Sequence, residues 1–230
     1  MSTLSNVTSR RGETKTNPPS VGMSSDAIPE ADSLQIGVSV DYTHDASKKW
    51  YVFRASYGRD ERAREYMEND GATVYIAQRY VVKYVNGKRK KILENLVPNI
   101  LFAYITDEKA NEYVKETPEL DFLTYYYNHF ELNDEKKNPP LTISVREMDN
   151  FIRATCNRNE HLLFVQSSQC HYKSGETVKI VDGVFKGVEG KVARVAGQQR
   201  VIVTLSQVGL ISTAYIPSAF IEKVIIAKTI

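Results

Sequence analysis

The spacing of apolar and polar residues divides the chain into a mixed first part and an all-strand second part. In the first part, residues 50–56 and 100–105 form continuous apolar and aromatic runs typical of buried strands. Two further strand-like runs cover residues 73–84 and 90–97, and a short aromatic strand is predicted over 122–127. These runs alternate with segments of helical period, so strands and helices should share one domain.

Three segments of the first part place their apolar residues at helical spacing. The predicted helices span residues 59–69, 107–116 and 144–155. Ser144 can cap the third helix, and Glu147 follows three residues later as in a capping box. The order β-α-β-β-β-α-β-α predicts an α+β sandwich in which the helices pack on a sheet.

A hairpin is predicted at Asn86-Gly87, because both residue types tolerate the positive φ of a two-residue turn. Residues 88–91 at and beyond the turn are all basic.

The second part contains only short strand-like runs punctuated by glycines. The predicted strands cover residues 177–181, 190–195, 200–205, 213–216 and 220–225. Five short strands in about fifty residues predict a small closed barrel, which leaves no exposed edge. The β-branched residues and glycines of this part oppose a helical state.

Composition suggests a tail, two domains and a linker. Residues 1–47 are rich in Ser, Thr, Asn, Pro and Gly, and we expect a disordered tail there, with a short strand at 36–40 as an alternative. A first domain is predicted over 48–155, a linker over 156–171 and a second domain over 172–226.

Charge and hydropathy limit the classes of partner. The tail carries three basic and six acidic side chains, and the remainder carries 27 and 22, so the body is modestly basic. This balance permits proximity to nucleic acid. No signal peptide or apolar run long enough for a bilayer is visible, and we expect a soluble cytoplasmic protein without membrane contact.

Residues with catalytic or metal-binding chemistry do not form a recognisable set. The four histidines lie outside any Ser-His, Cys-His or HExxH setting, and no phosphate or dinucleotide fingerprint occurs, so we expect no enzyme and no cofactor. Cys156, His161, Cys170 and His171 lack the short Cys-x-x-Cys pairs of zinc sites. Two free thiols are the preferred interpretation.

Four segments resemble the NusG family of transcription elongation factors. Residues 48–58, with their Trp-Tyr pair and closing Gly, resemble the family's opening strand, and 85–89 its basic hairpin. Residues 96–102 resemble its Phe-Pro-Gly/Asn-Tyr-Leu-Phe segment, and 182–187 resemble the loop of a KOW motif. The resemblance implies a NusG N-terminal-type α/β sandwich followed by a small KOW (SH3-like) β-barrel. It also implies a monomer that binds RNA polymerase and promotes processive transcription.

Finer features resemble specialised paralogues within that family. Arg62-Ala63 and Pro98-Asn99 are similar to RfaH-type proteins, and residues 213–217 are similar to UpxY-type antiterminators. This resemblance implies antitermination of a surface or capsular polysaccharide operon. Val97 and Ile100 depart from the family, since they replace aromatic residues.

The resemblance also implies three sets of contact residues. The polymerase clamp helices would contact an apolar patch comprising Tyr51, Phe53, Val97, Ile100 and Phe102. Upstream or non-template DNA would contact Arg59, Arg62, Lys88, Arg89, Lys90 and Lys91. A ribosomal small-subunit protein or the termination factor Rho would contact Phe185, Ile202 and Ile211.

Each set has a plainer alternative. About half of the apolar set should be core because strand residues alternate between faces, the lysines could form a solvated hairpin tip, and Phe185 could plug one end of the barrel. The main alternative function is a ribosome- or RNA-binding KOW protein.

Overall fold

The structure is a computed structural model that describes residues 42–224. The strand proposed at 36–40 and most of the predicted tail lie outside the described residues. The three α-helices of the described part are α1 (Asp60–Asn69), α2 (Asp107–Lys115) and α3 (Val145–Thr155). The strands of the first half are β1 (Lys49–Ala55), β2 (Thr73–Tyr75), β3 (Gln78–Val85), β4 (Lys88–Asn95), β5 (Ile100–Ile105), β6 (Leu123–Tyr125) and β7 (Thr142–Ile143). Those of the second half are β8 (Leu163–Val165), β9 (His171–Ile180), β10 (Glu189–Val195), β11 (Gln198–Leu205), β12 (Gly209–Tyr215) and β13 (Ile221–Lys223).

The first lobe, which runs from β1 to α3, is a sheet with helices on both faces. Its strands run in the order β2-β5-β1-β6, and β7 also pairs with β1, all antiparallel. Phe53 and Leu101 share a buried cluster with Met67 of α1 and Tyr113 of α2. Trp50 and Phe102 face the other way, in the cluster that contains Phe151 of α3. The predicted α+β arrangement of this part is therefore confirmed.

The run predicted as one strand over 73–84 is two strands. β2 belongs to the main sheet through β5, whereas β3 leaves that sheet and pairs only with β4 among the described strands. Asn86 and Gly87 connect β3 to β4 with φ of 52° and 72°, which confirms the predicted hairpin turn. The hairpin therefore projects from the lobe as a separate two-stranded ribbon.

The third helix begins at the predicted cap but uses Glu147 differently. The Ser144 hydroxyl accepts a hydrogen bond from the Glu147 backbone N–H at 3.3 Å. The Glu147 carboxylate accepts from the backbone N–H of Ser206 in the second lobe. A residue predicted to complete a local cap thus connects two lobes.

The second lobe is an open antiparallel sheet. Its strands run in the order β13-β9-β10-β11-β12-β8. Within the described range, the edge strands β8 and β13 each pair with one neighbour, so the closed barrel is not confirmed. β10 and β11 approach closely at Gly190, where a Cβ would lie 2.3 Å from the carbonyl oxygen of Ile202.

The segment predicted as a linker belongs to this sheet. Leu163–Val165 forms β8, which pairs with β12, and Leu162 beside it is fully buried. The second lobe therefore begins with β8, before the boundary predicted at residue 172.

The two lobes pack against each other through α3. One buried cluster runs from Trp50 and Phe102 through Phe151 to Val178 and Val203 of the second lobe. At its edge, Asn150 bonds twice to the backbone of Glu189: its amide donates to the carbonyl and its oxygen accepts from the N–H, both at 2.8 Å. The Arg153 guanidinium donates to the Gly187 carbonyl at 3.3 Å. Apolar burial and directional bonds therefore hold one relative placement of the lobes.

Residues 42–47, at the end of the predicted tail, lie on this assembly. The Tyr42 ring packs 5.2 Å from Trp50 and 4.7 Å from Tyr104, measured between ring centroids. Its hydroxyl accepts from the Trp50 indole N–H at 3.0 Å and donates to Asp149 of α3 at 2.7 Å. Burial raises the pKa of Tyr42 to about 12.

Candidate functional site

The five residues predicted to contact polymerase all lie in the interior. Tyr51 and Phe53 belong to the cluster beneath α1 and α2, whereas Val97, Ile100 and Phe102 belong to the cluster that includes α3. The expectation that part of this set is exposed is wrong for this structure. For the four residues on β1 and β5, the physical reason is that these are inner strands of a sheet covered by helices on both faces. Val97 precedes β5 and packs into the cluster that includes α3. The set is also divided between two faces, so it does not form one patch.

A compact basic and aromatic cluster lies where β1 turns into α1. The Arg59 guanidinium lies 4.1 Å from the ring centroid of Phe122, and that of Arg62 lies 5.4 Å from the same ring. Arg59 is also 5.5 Å from the ring of Tyr57. Asp121 is 3.6 Å from Arg59, and no ion pair engages Arg62 within residues 42–224. Arg62 therefore keeps an unpaired positive charge at the surface, whereas the charge of Arg59 is shared with Asp121.

Tyr57 is a residue of this cluster that the sequence did not single out as a candidate. It is 92% exposed and has φ of 60°. A bulky residue in the left-handed region is unusual, and such positions concentrate at functional sites. The sequence feature that could have identified Tyr57 is an aromatic residue inside a tight turn, two residues before Arg59.

Asn99 holds this turn in place. Its carbonyl accepts from the Ala55 N–H at 2.9 Å, and its side-chain oxygen accepts from the Gly58 N–H at 3.2 Å. Asn99 itself has φ of 61°, which asparagine tolerates better than most residues. The Pro98-Asn99 turn therefore supports the cluster through hydrogen bonds.

The four basic residues after the hairpin turn are exposed, and none forms an ion pair within the described part of the chain. Arg89 and Lys91 lie opposite Tyr84 and Val82, whereas Lys90 lies opposite Lys83 on the other face. The exposed side chains leave this ribbon positively charged on both faces.

The base of the hairpin is tied to the first helix and to the start of the second lobe. Gln78 donates to Glu61 of α1 at 2.7 Å, and Arg79 donates to the Leu162 carbonyl at 2.5 Å. Seven residue steps of about 3.3 Å separate Gln78 from the end of β3, so the basic tip lies roughly 23 Å beyond this anchor. The predicted basic residues therefore form two surfaces, one at the turn before α1 and one on the hairpin.

The three residues predicted for a second-lobe partner are also buried. Phe185 belongs to the cluster shared with α3, Ile202 packs with Ala193 and Val195, and Ile211 joins the shared cluster. The loop around Phe185 lies beside α3, and the Asn157 amide donates to the Val184 carbonyl at 3.2 Å. In the loop around Phe185, the exposed apolar side chain is Val184.

Within the described residues, no group of three or more His, Cys, Asp or Glu side chains is arranged to hold a metal ion. Cys156 and Cys170 are free, and burial raises the pKa of both thiols. None of the helices over residues 42–224 is both long and apolar enough to cross a membrane.

One family model matches the first lobe. Residues 48–152 match the family NusG, described as "Transcription termination factor nusG". The match begins just before β1 and ends within α3, so it includes the sheet, the hairpin and the turn that carries Tyr57. It covers a little under half of the chain. A search of curated proteins found no match.

Proposed function

We propose that this protein, which carries a NusG-family domain over residues 48–152, is a transcription elongation and antitermination factor. Its first lobe binds RNA polymerase and promotes processive transcription. The main support for the proposal is that the family match includes the whole sheet of the first lobe and both basic surfaces. The test is retention of core RNA polymerase by the immobilised full chain; failure to retain it would refute the proposal and favour the ribosome- or RNA-binding alternative.

The polymerase-binding role of the buried residues requires the lobes to move apart. Val97, Ile100 and Phe102 share a cluster with α3 and the second lobe, so clamp helices reach them only after α3 and that lobe are displaced. Tyr51 and Phe53 act by supporting the sheet from beneath α1 and α2.

A variant that weakens the contact between α3 and the second lobe tests the release of that lobe, which is one part of this step. Aspartate at Ile100 or Phe102 would place a charge in the core and unfold the domain, so it would not report on binding. Asn150→Ala removes two interlobe bonds and should raise polymerase retention relative to Arg146→Ala, whose side chain is 87% exposed. Equal retention of the two variants would refute a role for release of the second lobe and leave polymerase binding itself intact.

Upstream or non-template DNA is the proposed partner of the basic surfaces. Arg59, Arg62 and the basic hairpin residues at 88–91 neutralise phosphates. Affinity should then fall as salt concentration rises, because each neutralised phosphate releases counterions. The assay measures the affinity for DNA duplexes, and for templates with an unpaired bubble, at a series of salt concentrations. An affinity that does not change with salt concentration would exclude phosphate contact.

The second lobe is proposed to contact a ribosomal small-subunit protein or Rho. Because Phe185, Ile202 and Ile211 are buried, they shape the lobe, and the exposed Val184 makes the direct contact. Val184→Asp should reduce capture of whichever partner binds, with Leu132→Asp in a first-lobe loop as a control of similar exposure, since Val184 is 70% and Leu132 66% exposed. An equal effect of both variants would argue against the Val184 contact.

The target is proposed to be a surface or capsular polysaccharide operon, on the resemblance of Pro98-Asn99 and residues 213–217. The protein is proposed to act as a cytoplasmic monomer. Deletion of the gene should reduce transcripts progressively with distance from the promoter of that operon. A uniform loss along the operon would indicate an effect on initiation instead.

A further inference from the structure

One face of the β3–β4 hairpin combines aromatic and basic side chains without an acid. In the strand register, Tyr84 lies opposite Arg89 and Val82 opposite Lys91. Opposite residues of paired strands share a face, as do residues two apart along a strand. We call this surface the Tyr84 face. Its members are Tyr80, Val82, Tyr84, Arg89, Lys91 and Leu93.

Charge is distributed unequally between the two faces of the hairpin. Glu94 is the one acidic residue between positions 78 and 95. It lies on the opposite face, where it pairs with Lys83. Arg89 and Lys91 on the Tyr84 face form no ion pair within residues 42–224, and the Lys91 ammonium lies 4.6 Å from the centroid of the Tyr80 ring. Two cations on this face therefore remain available to an anion.

Tyr84 presents an aromatic ring beside these cations. It is 78% exposed and sits two residues from the turn at Asn86 and Gly87. No aromatic contact within the described residues covers its ring. An exposed tyrosine next to unpaired basic groups has the composition of a surface that stacks a base and neutralises its phosphates.

The hairpin holds this face in a defined position. Besides the two side-chain anchors at its base, the Tyr80 N–H donates to the Arg158 carbonyl at 3.0 Å. Eight residue pairs join the two strands. The face is therefore presented on a regular ribbon that is anchored both to α1 and to the segment that follows α3, which lowers the entropy lost on binding.

We infer that the Tyr84 face binds single-stranded nucleic acid, with one unpaired base stacked on Tyr84 and phosphates on Arg89 and Lys91. A duplex keeps its base faces inside the helical stack, so a ring at the surface can stack only on an unpaired base. The inference rests on the proposed function for its biological setting, since an elongation complex contains displaced DNA and nascent RNA. The binding itself needs no polymerase.

Fluorescence anisotropy with the full chain tests the inference. The probes are labelled twelve-nucleotide oligo(dT) and oligo(rU), and a blunt DNA duplex of the same length. Tyr84→Ala should weaken single-strand binding about tenfold, the effect of one lost base-stacking contact. Tyr84→Phe should stay within about twofold of the wild type, because the ring remains. Tyr84→Leu should behave as Tyr84→Ala, which separates stacking from simple apolar bulk.

Charge variants test which face is used. Lys91→Ala and Lys90→Ala remove the same charge from neighbouring positions on opposite faces. Lys91→Ala should weaken single-strand binding more than Lys90→Ala, and Arg89→Ala should reduce the salt slope by about 0.7. Equal effects of the two lysine variants would show that only diffuse charge attracts the strand.

Three outcomes would overturn the inference. These are wild-type affinity of Tyr84→Ala, equal loss of duplex and single-strand binding in that variant, and no binding of any oligonucleotide. If no oligonucleotide binds, retention of polymerase can still be measured separately. Failure of this inference is therefore distinguishable from failure of the proposed function. If binding occurs, the dT and rU arms separate displaced DNA from RNA as the preferred strand.

Discussion

Replacement of Asn150 by alanine measures whether the lobes are docked in solution. The side chain makes two hydrogen bonds of 2.8 Å to the Glu189 backbone. A neutral hydrogen bond contributes a net free energy of about 0.5–1.5 kcal/mol, so the pair contributes about 1–3 kcal/mol. Both residues are half-buried beside an open groove, so water replaces part of the loss. We expect Asn150→Ala to lower the free energy of unfolding by about 1–2 kcal/mol.

Thermal and urea unfolding provide the assay. For a protein of this size the loss corresponds to a fall in Tm of about 2–8 °C. The single tryptophan, Trp50, lies in the cluster shared by both lobes, so its fluorescence reports on disruption of that cluster.

The matched control removes an exposed contact to the same partner. Arg146 pairs with Glu189 at 3.3 Å while its side chain is 87% exposed, and exposed pairs contribute little. Arg146→Ala should therefore stay within about 0.5 kcal/mol of the wild type. If Asn150→Ala is no more destabilising than this control, the docked interface is not formed in solution and the reasoning fails.

Three further predictions concern stability. Gly190→Ala should destabilise the protein by about 1–3 kcal/mol in urea unfolding, because its Cβ would lie 2.3 Å from the Ile202 carbonyl oxygen; a neutral effect would mean that β10 and β11 are further apart. The pKa of Tyr42 is raised to about 12, so folding favours the protonated form of this residue. The stabilisation that results is lost as pH rises from about 10 to 12. The Tm advantage of wild type over Tyr42→Phe should shrink across that window as tyrosinate forms beside Asp149, and a constant difference would contradict this. Tyr57→Gly should raise stability by up to about 1 kcal/mol by removing a left-handed tyrosine; lower stability would show that the strain at its φ of 60° is smaller than the entropy cost of the added glycine.

Local features of the fold were predictable because they depend on a few neighbouring residues. The Asn86-Gly87 turn follows from the φ each residue tolerates. The start of α3 follows from Ser144, whose hydroxyl bonds to the backbone N–H three residues later. The α+β arrangement of the first part followed from the alternation of strand and helix periods.

The candidate site was harder to predict because exposure depends on elements distant in the chain. Ile100 and Phe102 were surface candidates because their segment resembles a polymerase-contact segment, yet α3, some 45 residues later, and the cluster that extends into the second lobe bury their face. Phe185 occupies a glycine-rich turn that is typical of an exposed loop, but it is buried in the cluster shared with α3. Glu147 could not be assigned to Ser206 from a capping pattern alone.

The sequence by itself determined the three helices, the basic hairpin and the resemblance to the NusG family, since these reside in local composition and short segments. Only the tertiary structure decided that the predicted apolar contact residues are interior, that residues 163–165 complete the second sheet, and that Tyr84 is an exposed aromatic residue beside cations that form no ion pair in the described part of the chain. The physical reason is that backbone preferences act over a few residues, whereas burial and cross-strand pairing are set by contacts between segments far apart in the chain.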